Sequence, residues 1–267
     1  GPWALRVFAE EAADAKAGER RARLAAQFDR GNRYALLVGV NAYASEKLSA
    51  LRFCVNDAEQ LADVLVKRCG YPAANVTLLA DGHSAERLPT RENIQRQLTA
   101  MLLRVAGGDT VLVYFAGHGG VVGGGSVLCP TDFDPSNDGL TGVRVDHVRD
   151  LMHGCKASQK LLVLDACHSG GAKGGAALGL SGEDLEGGSR AGGLVTFAAA
   201  RRTQTSMEVA EKRHGIFTYC LARGLGGAAD ADRDGIVDSD EIYRFVHAEV
   251  GDMARRIGAE QTPVRIL

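Results

Sequence analysis

The stretch LLVLDACHSGG, from Leu161 to Gly171, places an aspartate, a cysteine and a histidine directly after an apolar run. Residues 161–164 have the continuous apolar character of a strand that is buried on both faces of a parallel sheet. A carboxylate such as Asp165 is costly in that environment unless a cation meets it. The stretch therefore indicates a strand whose carboxyl end opens into a functional site.

Strand patterns and helix patterns alternate along the rest of the chain. Strands are predicted at 34–40, 75–81, 110–117, 160–167, 193–200 and 262–267. Helices are predicted at 3–30, 58–65, 94–105 after a Thr90 cap, 145–155, 216–225 and 241–255. This order predicts an α/β fold in three layers, with a mostly parallel central sheet of about six strands and helices on both faces.

Two regions are expected in the chain. Residues 1–32 are rich in Ala, Arg and Glu and are predicted to form an N-terminal helical extension. Residues 33–267 are predicted to form one domain, which includes an acidic loop at 230–241. The sequence shows no internal repeat and no linker that would divide this domain.

Composition excludes several classes of partner. The 267 residues carry a formal net charge of -2, so a basic surface for nucleic acid or an anionic membrane is not expected. No apolar run approaches the roughly 20 residues that span a bilayer. The six cysteines form no CxxC pair and are typical of reduced thiols. These features predict a cytoplasmic protein without nucleic-acid or membrane partners.

Two short motifs follow the third and fourth predicted strands. FAGHGG places His118, and DACHSGG places Cys167, at the carboxyl ends of these strands, where ligands bind in open parallel sheets. A histidine can take the proton of a thiol nucleophile and later return it to a leaving amine. The amides of Gly119 and Cys167 are the predicted oxyanion donors. Taken singly, each side chain could instead be a structural histidine or a buried core thiol.

The two motifs, YFAGHGG and LVLDACHSGG, resemble those of caspase-like cysteine peptidases. They are most similar to the bacterial metacaspase-like branch, also called the orthocaspase type, and the likeness extends from about residue 33 to the C-terminus. The resemblance implies the caspase-type fold with His118 and Cys167 as a catalytic dyad. Animal caspases carry Gln and Arg where this sequence has Asp165 and His168.

The aspartate of the second motif, Asp165, is expected to face a basic substrate residue. Asp165 precedes Cys167 by two positions, so both point to the same face of a strand. The resemblance implies that Asp57 and Asp165 hold a basic P1 side chain, with Cys54 nearby. Such a pocket favours Arg over Lys, because a planar guanidinium pairs bidentately with carboxylates.

Three features leave this pocket open to other interpretations. Asp57 could instead cap its helix, and Asp165 could cap the turn that follows its strand. Related enzymes often have Ser two residues before the histidine, whereas this chain has Ala116. One contact of the pocket would then be missing.

The acidic loop DADRDGIVDSDE matches the EF-hand calcium pattern, with Gly235 at the turn. The predicted calcium ligands are Asp230, Asp232, Asp234, the carbonyl of Ile236, Asp238 and Glu241. A similar acidic turn can simply cap a helix. The resemblance implies a different calcium cluster in related enzymes, for which Glu183, Asp184 and Glu186 are weaker candidates.

The sequence thus predicts a cysteine endopeptidase that cleaves proteins after Arg, then Lys, and is regulated by processing, by calcium or by both. The expected partners are a protein or peptide substrate and an upstream activating protease or regulator. Basic clusters at 200–202 and 211–214 are predicted to be solvated surface or processing sites, as are Lys173 and Arg190. The alternatives are a non-catalytic signalling or calcium-sensing module and a hydrolase of small amides.

Overall fold

The computed structural model describes residues 31–167, 193–200, 204, 206–209 and 211–267, and the backbone of residues 4–6. The side chains of Cys167 and Val209 lie outside this description. The strands are β1 Ala4–Arg6, β2 Arg33–Gly39, β3 Val76–Ala80, β4 Thr110–Val122, β5 Gly125–Leu128, β6 Val143–Arg144, β7 Gln159–Cys167, β8 Leu194–Ala198, β9 Glu208–Val209, β10 His214–Gly215, β11 Ile236–Asp238 and β12 Val264–Ile266. The α-helices are α1 Cys54–Arg68, α2 Arg91–Arg104, α3 Asp138–Thr141, α4 Val145–Gly154, α5 Ile216–Arg223 and α6 Ser239–Arg256.

The central sheet has the strand order β12-β8-β7-β4-β2-β3. The pairs β7–β8, β4–β7, β2–β4 and β2–β3 are parallel, and the edge strand β12 is antiparallel to β8. The predicted mostly parallel sheet of about six strands is therefore confirmed. Two further strands, β5 and β6, extend the carboxyl end of β4 and were not expected.

Helices cover both faces of the sheet because its central strands are apolar on both faces. On one face, Leu61 of α1, Phe217 of α5 and Val246 of α6 pack with residues of β4 and β7. On the other face, Leu98 of α2 and Met152 of α4 pack against the same strands. The three-layer α/β prediction is confirmed. Within the described chain, no helix has the length and hydropathy needed to cross a bilayer.

The structure corrects two predicted elements. The third predicted strand does not end at residue 117, because β5 pairs with its far end and prolongs β4 to Val122. The predicted N-terminal helix is wrong at Ala4–Arg6, which form a strand antiparallel to β11, with Leu5 opposite Val237. The other residues of the predicted helix at 3–30 lie outside the described ones.

Candidate active site at the ends of strands β4 and β7

The register of β4 and β7 brings the predicted pair to neighbouring positions. The two parallel strands are matched residue by residue from Thr110 with Gln159 to His118 with Cys167. His118 therefore lies within β4, and its α-carbon is beside that of the last residue of β7. The sheet alone accounts for this proximity of two residues that are 49 positions apart in sequence.

Among its described contacts, two orient the ring of His118, which has no exposed surface. Its Nε2 lies 2.8 Å from the carbonyl oxygen of Ser49. Because a carbonyl can only accept, Nε2 carries the proton and Nδ1 is the basic nitrogen. The ring also stacks on Tyr43 at a centroid distance of 4.8 Å. Burial lowers the pKa of His118, although the Ser49 carbonyl opposes this, so the imidazole is held as a neutral base.

The side chain of Tyr43 lies close to the main chain at Gly117 and His118 and fixes its position. The amide of His118 donates to the Tyr43 hydroxyl at 2.7 Å. A β-carbon on Gly117 would lie 3.0 Å from that hydroxyl and from the ring of Phe115, so glycine makes this approach possible. Tyr43 thus contacts both the ring and the main chain of the candidate base.

The predicted oxyanion donor Gly119 is paired with Leu128 in the β4–β5 ladder. The amide of Cys129 donates to the carbonyl of His118 at 2.9 Å. Hydrogen-bonded and non-hydrogen-bonded pairs alternate along an antiparallel ladder, so the Gly119–Leu128 pair is of the second kind. The N–H of Gly119 therefore points away from β5. It is directed to the β7 side, where the parallel ladder ends at Cys167, and its role as an oxyanion donor stays a prediction.

Asp165 is held in the interior by hydroxyl groups. It is 2% exposed, and its Oδ1 accepts from Ser206 at 2.8 Å. Its Oδ2 accepts from Thr218 of α5 at 2.7 Å, and Thr218 in turn lies 2.7 Å from the hydroxyl of Tyr114. Burial raises the pKa of Asp165 in spite of these donors. Its described partners thus come from other elements, and the turn that follows β7 lies outside the described residues.

Asp57 lies in the first turn of α1 and does not cap that helix. The N-cap is Phe53, and the alternative interpretation of Asp57 as a cap is therefore wrong. Its Oδ1 lies 2.8 Å from Nδ1 of His214, and the amide of Gly215 reaches both oxygens at 3.2 and 3.1 Å. Burial raises the pKa of Asp57 to about 7, the charge of Asp165 adds to this, and the two donors act in the opposite direction.

The two carboxylates converge on a point above Gly215. A β-carbon built on Gly215 would lie 3.1 Å from Oδ2 of Asp57 and 3.4 Å from Oδ2 of Asp165. The two Oδ2 atoms therefore lie on the same side of Gly215, where a cationic group that approached from that side would meet both carboxylates. The structure therefore brings Asp57 and Asp165 together, as the sequence predicted. The third predicted pocket residue, Cys54, is the buried first residue of α1 and packs in the core.

Several residues of the site were missed by reasoning from sequence. Ser49 acts through its main-chain carbonyl, which no side-chain pattern reveals. Ser206 and Thr218 are isolated hydroxyl residues without a motif. His214 was predicted to be solvated surface with the rest of 211–214, but it is half-buried against Asp57. Its position directly before the glycine that ends β10 is the only sequence signal that could have indicated it.

The acidic loop assembles only part of the predicted calcium site. One oxygen each of Asp230, Asp232 and Asp234 lies within 4.8 Å of the others, and such hard oxygen ligands suit calcium. Gly235 adopts a φ of 81°, as the turn requires. Ile236 begins β11, which pairs with β1.

The last two predicted ligands cap α6. The side chain of Asp238 accepts from the amide of Glu241 at 2.9 Å, and Glu241 accepts from the amide of Asp238 at 3.1 Å. This reciprocal pair is a capping box. The alternative of a helix-capping turn is thus present in the structure, and calcium binding stays a prediction. The weaker calcium candidates Glu183, Asp184 and Glu186, and the processing candidates Lys173 and Arg190, lie outside the described residues.

Comparison with known proteins places this geometry in a family. The family model described as Caspase domain matches residues 32–265. The chain belongs to the caspase domain family. This membership confirms the resemblance that the motifs around His118 and Cys167 indicated.

Relatives and solved structures agree with this assignment. The chain is 32% identical over 154 residues to Metacaspase-1 of Eremothecium gossypii, covering 53% of this chain and 33% of the relative. It is 32% identical over 151 residues to Metacaspase-4 of Arabidopsis thaliana, covering 51% and 33%. It thus spans about a third of the length of these relatives. The crystal structure of Caspase-1 from Spodoptera frugiperda matches with a TM-score of 0.61 at 16% identity, over 89% of this chain and 86% of that one, which shows a shared fold.

Proposed function

We propose that this caspase domain is a cysteine endopeptidase that cleaves proteins after Arg and, less efficiently, after Lys. The observation that carries the proposal is the pair of buried carboxylates, Asp57 and Asp165, whose Oδ2 atoms lie together on one side of Gly215. Asp165 lies on the same strand as Cys167, two residues before it. The names of the metacaspase relatives support peptidase chemistry at the adjoining strand ends.

The proposed reaction begins with His118 and Cys167. Nδ1 of the neutral His118 takes the thiol proton, and the thiolate attacks the carbonyl carbon of the scissile bond. The amides of Gly119 and Cys167 donate to the oxyanion that forms. The imidazolium then gives its proton to the leaving amine as the carbon–nitrogen bond breaks. Water hydrolyses the remaining thioester with His118 again as base, which releases the carboxylate product and restores the thiol.

The proposed specificity follows from the charge of the pocket. An arginine at P1 can place its fork of N–H donors against Oδ2 of both Asp57 and Asp165. A lysine offers one ammonium point charge and pairs with this arrangement less well. An aspartate at P1 would be a third acidic group beside two carboxylates and would be repelled.

The proposed regulation follows from burial. His118, Asp57 and Asp165 are 0%, 3% and 2% exposed, so a peptide reaches them only after the surrounding chain rearranges. This favours an enzyme that responds to an activating protease, to self-processing or to calcium. Incubating the wild-type protein beside Cys167→Ala tests self-processing. Identical band patterns on a gel would count against it.

Peptide cleavage tests the specificity. A panel of fluorogenic peptides that differ only at P1 should give the order Arg, then Lys, with no turnover of Asp. Gly215→Ala fills the point between the carboxylates, and its φ of -67° suits alanine. We expect a loss in kcat/KM of at least about tenfold for the Arg peptide, which corresponds to about 1.4 kcal/mol. Gly107→Ala, where no atom lies within 4 Å of the added carbon, is the matched control. Faster turnover of the Asp peptide would overturn the proposal.

Covalent labelling distinguishes the enzyme from a non-catalytic signalling module. An electrophile that carries an Arg side chain at P1 should modify the wild-type protein at Cys167, as mass spectrometry of the modified peptide will show. Cys167→Ala should stay unmodified. Equal labelling of both proteins, or labelling of neither under conditions where peptide is cleaved, would refute the assignment of the nucleophile.

A further inference from the structure

A histidine that the proposed reaction does not use lies directly behind the pocket. His214 of β10 is 18% exposed at its side chain and contacts Asp57, which is 4% exposed at its own, with 2.8 Å between Nδ1 and Oδ1. The ring also lies against Tyr219 of α5, at a centroid distance of 6.5 Å and an interplanar angle of 29°. His214 is thus placed between a helix on one side and a pocket carboxylate on the other.

The hydrogen bonds of Asp57 are unequal at its two oxygens. Oδ1 receives the ring N–H of His214 and is 3.2 Å from the amide of Gly215. Among the described residues, Oδ2 accepts only from the amide of Gly215, at 3.1 Å, and it lies on the same side of Gly215 as Oδ2 of Asp165. A carboxylate held only by the shared amide could rotate about its terminal bond, because that torsion is broad. The bond to His214 therefore fixes which oxygen is presented.

The chemistry of the two groups also determines which of them donates the hydrogen bond. The ionised form of Asp57, which pairs with a cation, can only accept, so in that form Nδ1 of His214 carries the proton that it donates. The donation needs no positive charge on the ring. Asp57 therefore keeps its own charge for another cation, which an arginine or lysine in place of His214 would neutralise.

From this geometry we propose that His214 is a positioning residue for specificity. It holds Oδ1 of Asp57 and so aims Oδ2 at the site of the substrate's cationic P1 nitrogen, without touching the substrate itself. The inference rests on the proposed function, since it assigns a role within the same pocket. It predicts that His214 affects recognition of the cation and leaves the chemistry of His118 and Cys167 unchanged.

Steady-state kinetics with an Arg peptide and its neutral citrulline analogue tests the role. In His214→Ala, KM for the Arg peptide should rise about tenfold with kcat within about twofold, as expected for loss of one hydrogen bond to a charged group. For the citrulline peptide, KM and kcat should be the same in His214→Ala as in wild type. His214→Asn places an N–H donor at the position of Nδ1 and should restore KM to within about threefold of wild type. The exposed neighbour Lys212 provides the control, since Lys212→Ala should match wild type.

A binding measurement makes the test independent of turnover. Calorimetry with arginine amide on Cys167→Ala and on Cys167→Ala/His214→Ala should show a dissociation constant about tenfold larger for the double variant. If the wild-type protein cleaves no Arg peptide but the two variants differ in this way, the proposed peptidase function fails and the role of His214 stands. Equal binding in the two variants, or a His214→Asn protein as impaired as His214→Ala, would overturn the inference.

Discussion

Replacing Asp57 by asparagine should stabilise the protein at alkaline pH while abolishing recognition of arginine. Asparagine is nearly isosteric, and its carbonyl oxygen can still accept from His214 and from the amide of Gly215. The substitution therefore removes a buried negative charge with little change in packing. Asp165 is desolvated in both proteins, and the variant also removes the repulsion between the two carboxylates.

The magnitude follows from the raised pKa of Asp57. Burial and the neighbouring Asp165 raise this pKa from 3.8 to about 7 in the folded protein. The unfolded chain thus loses this proton near pH 4, whereas the folded protein keeps it until about pH 7. The stability that the neutral carboxyl contributes is complete below pH 3.8 and is lost as the pH rises through 7. A difference of roughly three pH units corresponds to up to about 4 kcal/mol.

Urea unfolding at pH 4 and at pH 8 measures this effect. Relative to wild type, the free energy of unfolding of Asp57→Asn should be larger at pH 8 than at pH 4, by up to about 4 kcal/mol, which means that the variant is the more stabilised at pH 8. The exposed carboxylate Glu46 supplies the control, since Glu46→Gln should follow wild type at both values of pH. A stability difference between Asp57→Asn and wild type that does not depend on pH would refute the claim that Asp57 is a destabilised, buried acid.

Three other substitutions test separate parts of the structure. Tyr43→Phe keeps the ring that stacks on His118 but removes the hydroxyl that accepts its amide, so kcat in a peptide assay should fall about fivefold with KM unchanged. Leu161→Ala, at a position with no exposure, should lower the free energy of unfolding by about 2–5 kcal/mol, whereas Leu103→Ala, at a residue 82% exposed, should change it by less than about 0.5 kcal/mol. If the acidic loop binds calcium, Asp230→Asn, which can still accept one of the two amides that Asp230 accepts, should weaken binding in calorimetry by at least about tenfold. No heat from wild type at millimolar calcium would make the loop purely structural.

The sheet could be predicted because its strands are marked locally. Runs such as Leu161–Leu164 are apolar on both faces, which only a covered parallel sheet requires, and the alternating helices provide the cover. The pairing of β1 with β11 could not be found in this way. It joins Ala4–Arg6 to residues more than two hundred positions away, and the surrounding Ala- and Glu-rich sequence has a strong local preference for helix.

In the candidate site too, the residues marked by local sequence could be predicted and those that depend on distant contacts could not. His118, Cys167 and Asp165 could be found because each lies at or near a strand end, where parallel register brings side chains to one edge. The sequence places Asp57 at the same sheet edge, at the start of the helix after the first strand, but this position equally suits a helix cap, so its role in the pocket was taken from the resemblance. Ser49 and His214 could not be found, because their roles depend on loops that fold back over the sheet edge and on contacts made by a main-chain carbonyl and by a single ring nitrogen.

Burial gives the acids and the base of this site opposite responses, and the proposed function needs both. Removing water disfavours the charged form of each group, so it lowers the pKa of His118 and raises those of Asp57 and Asp165. The base is thereby kept neutral and able to accept a proton, while the pocket acids retain a high affinity for any cation that can replace water. A solvated pair of carboxylates would bind arginine only weakly, because exposed ion pairs contribute little. Burying the charged forms of Asp57 and Asp165 lowers the stability of the substrate-free protein. A P1 guanidinium that pairs with these carboxylates can offset that cost. Selectivity for a basic residue and a loss of stability at alkaline pH are therefore expected together.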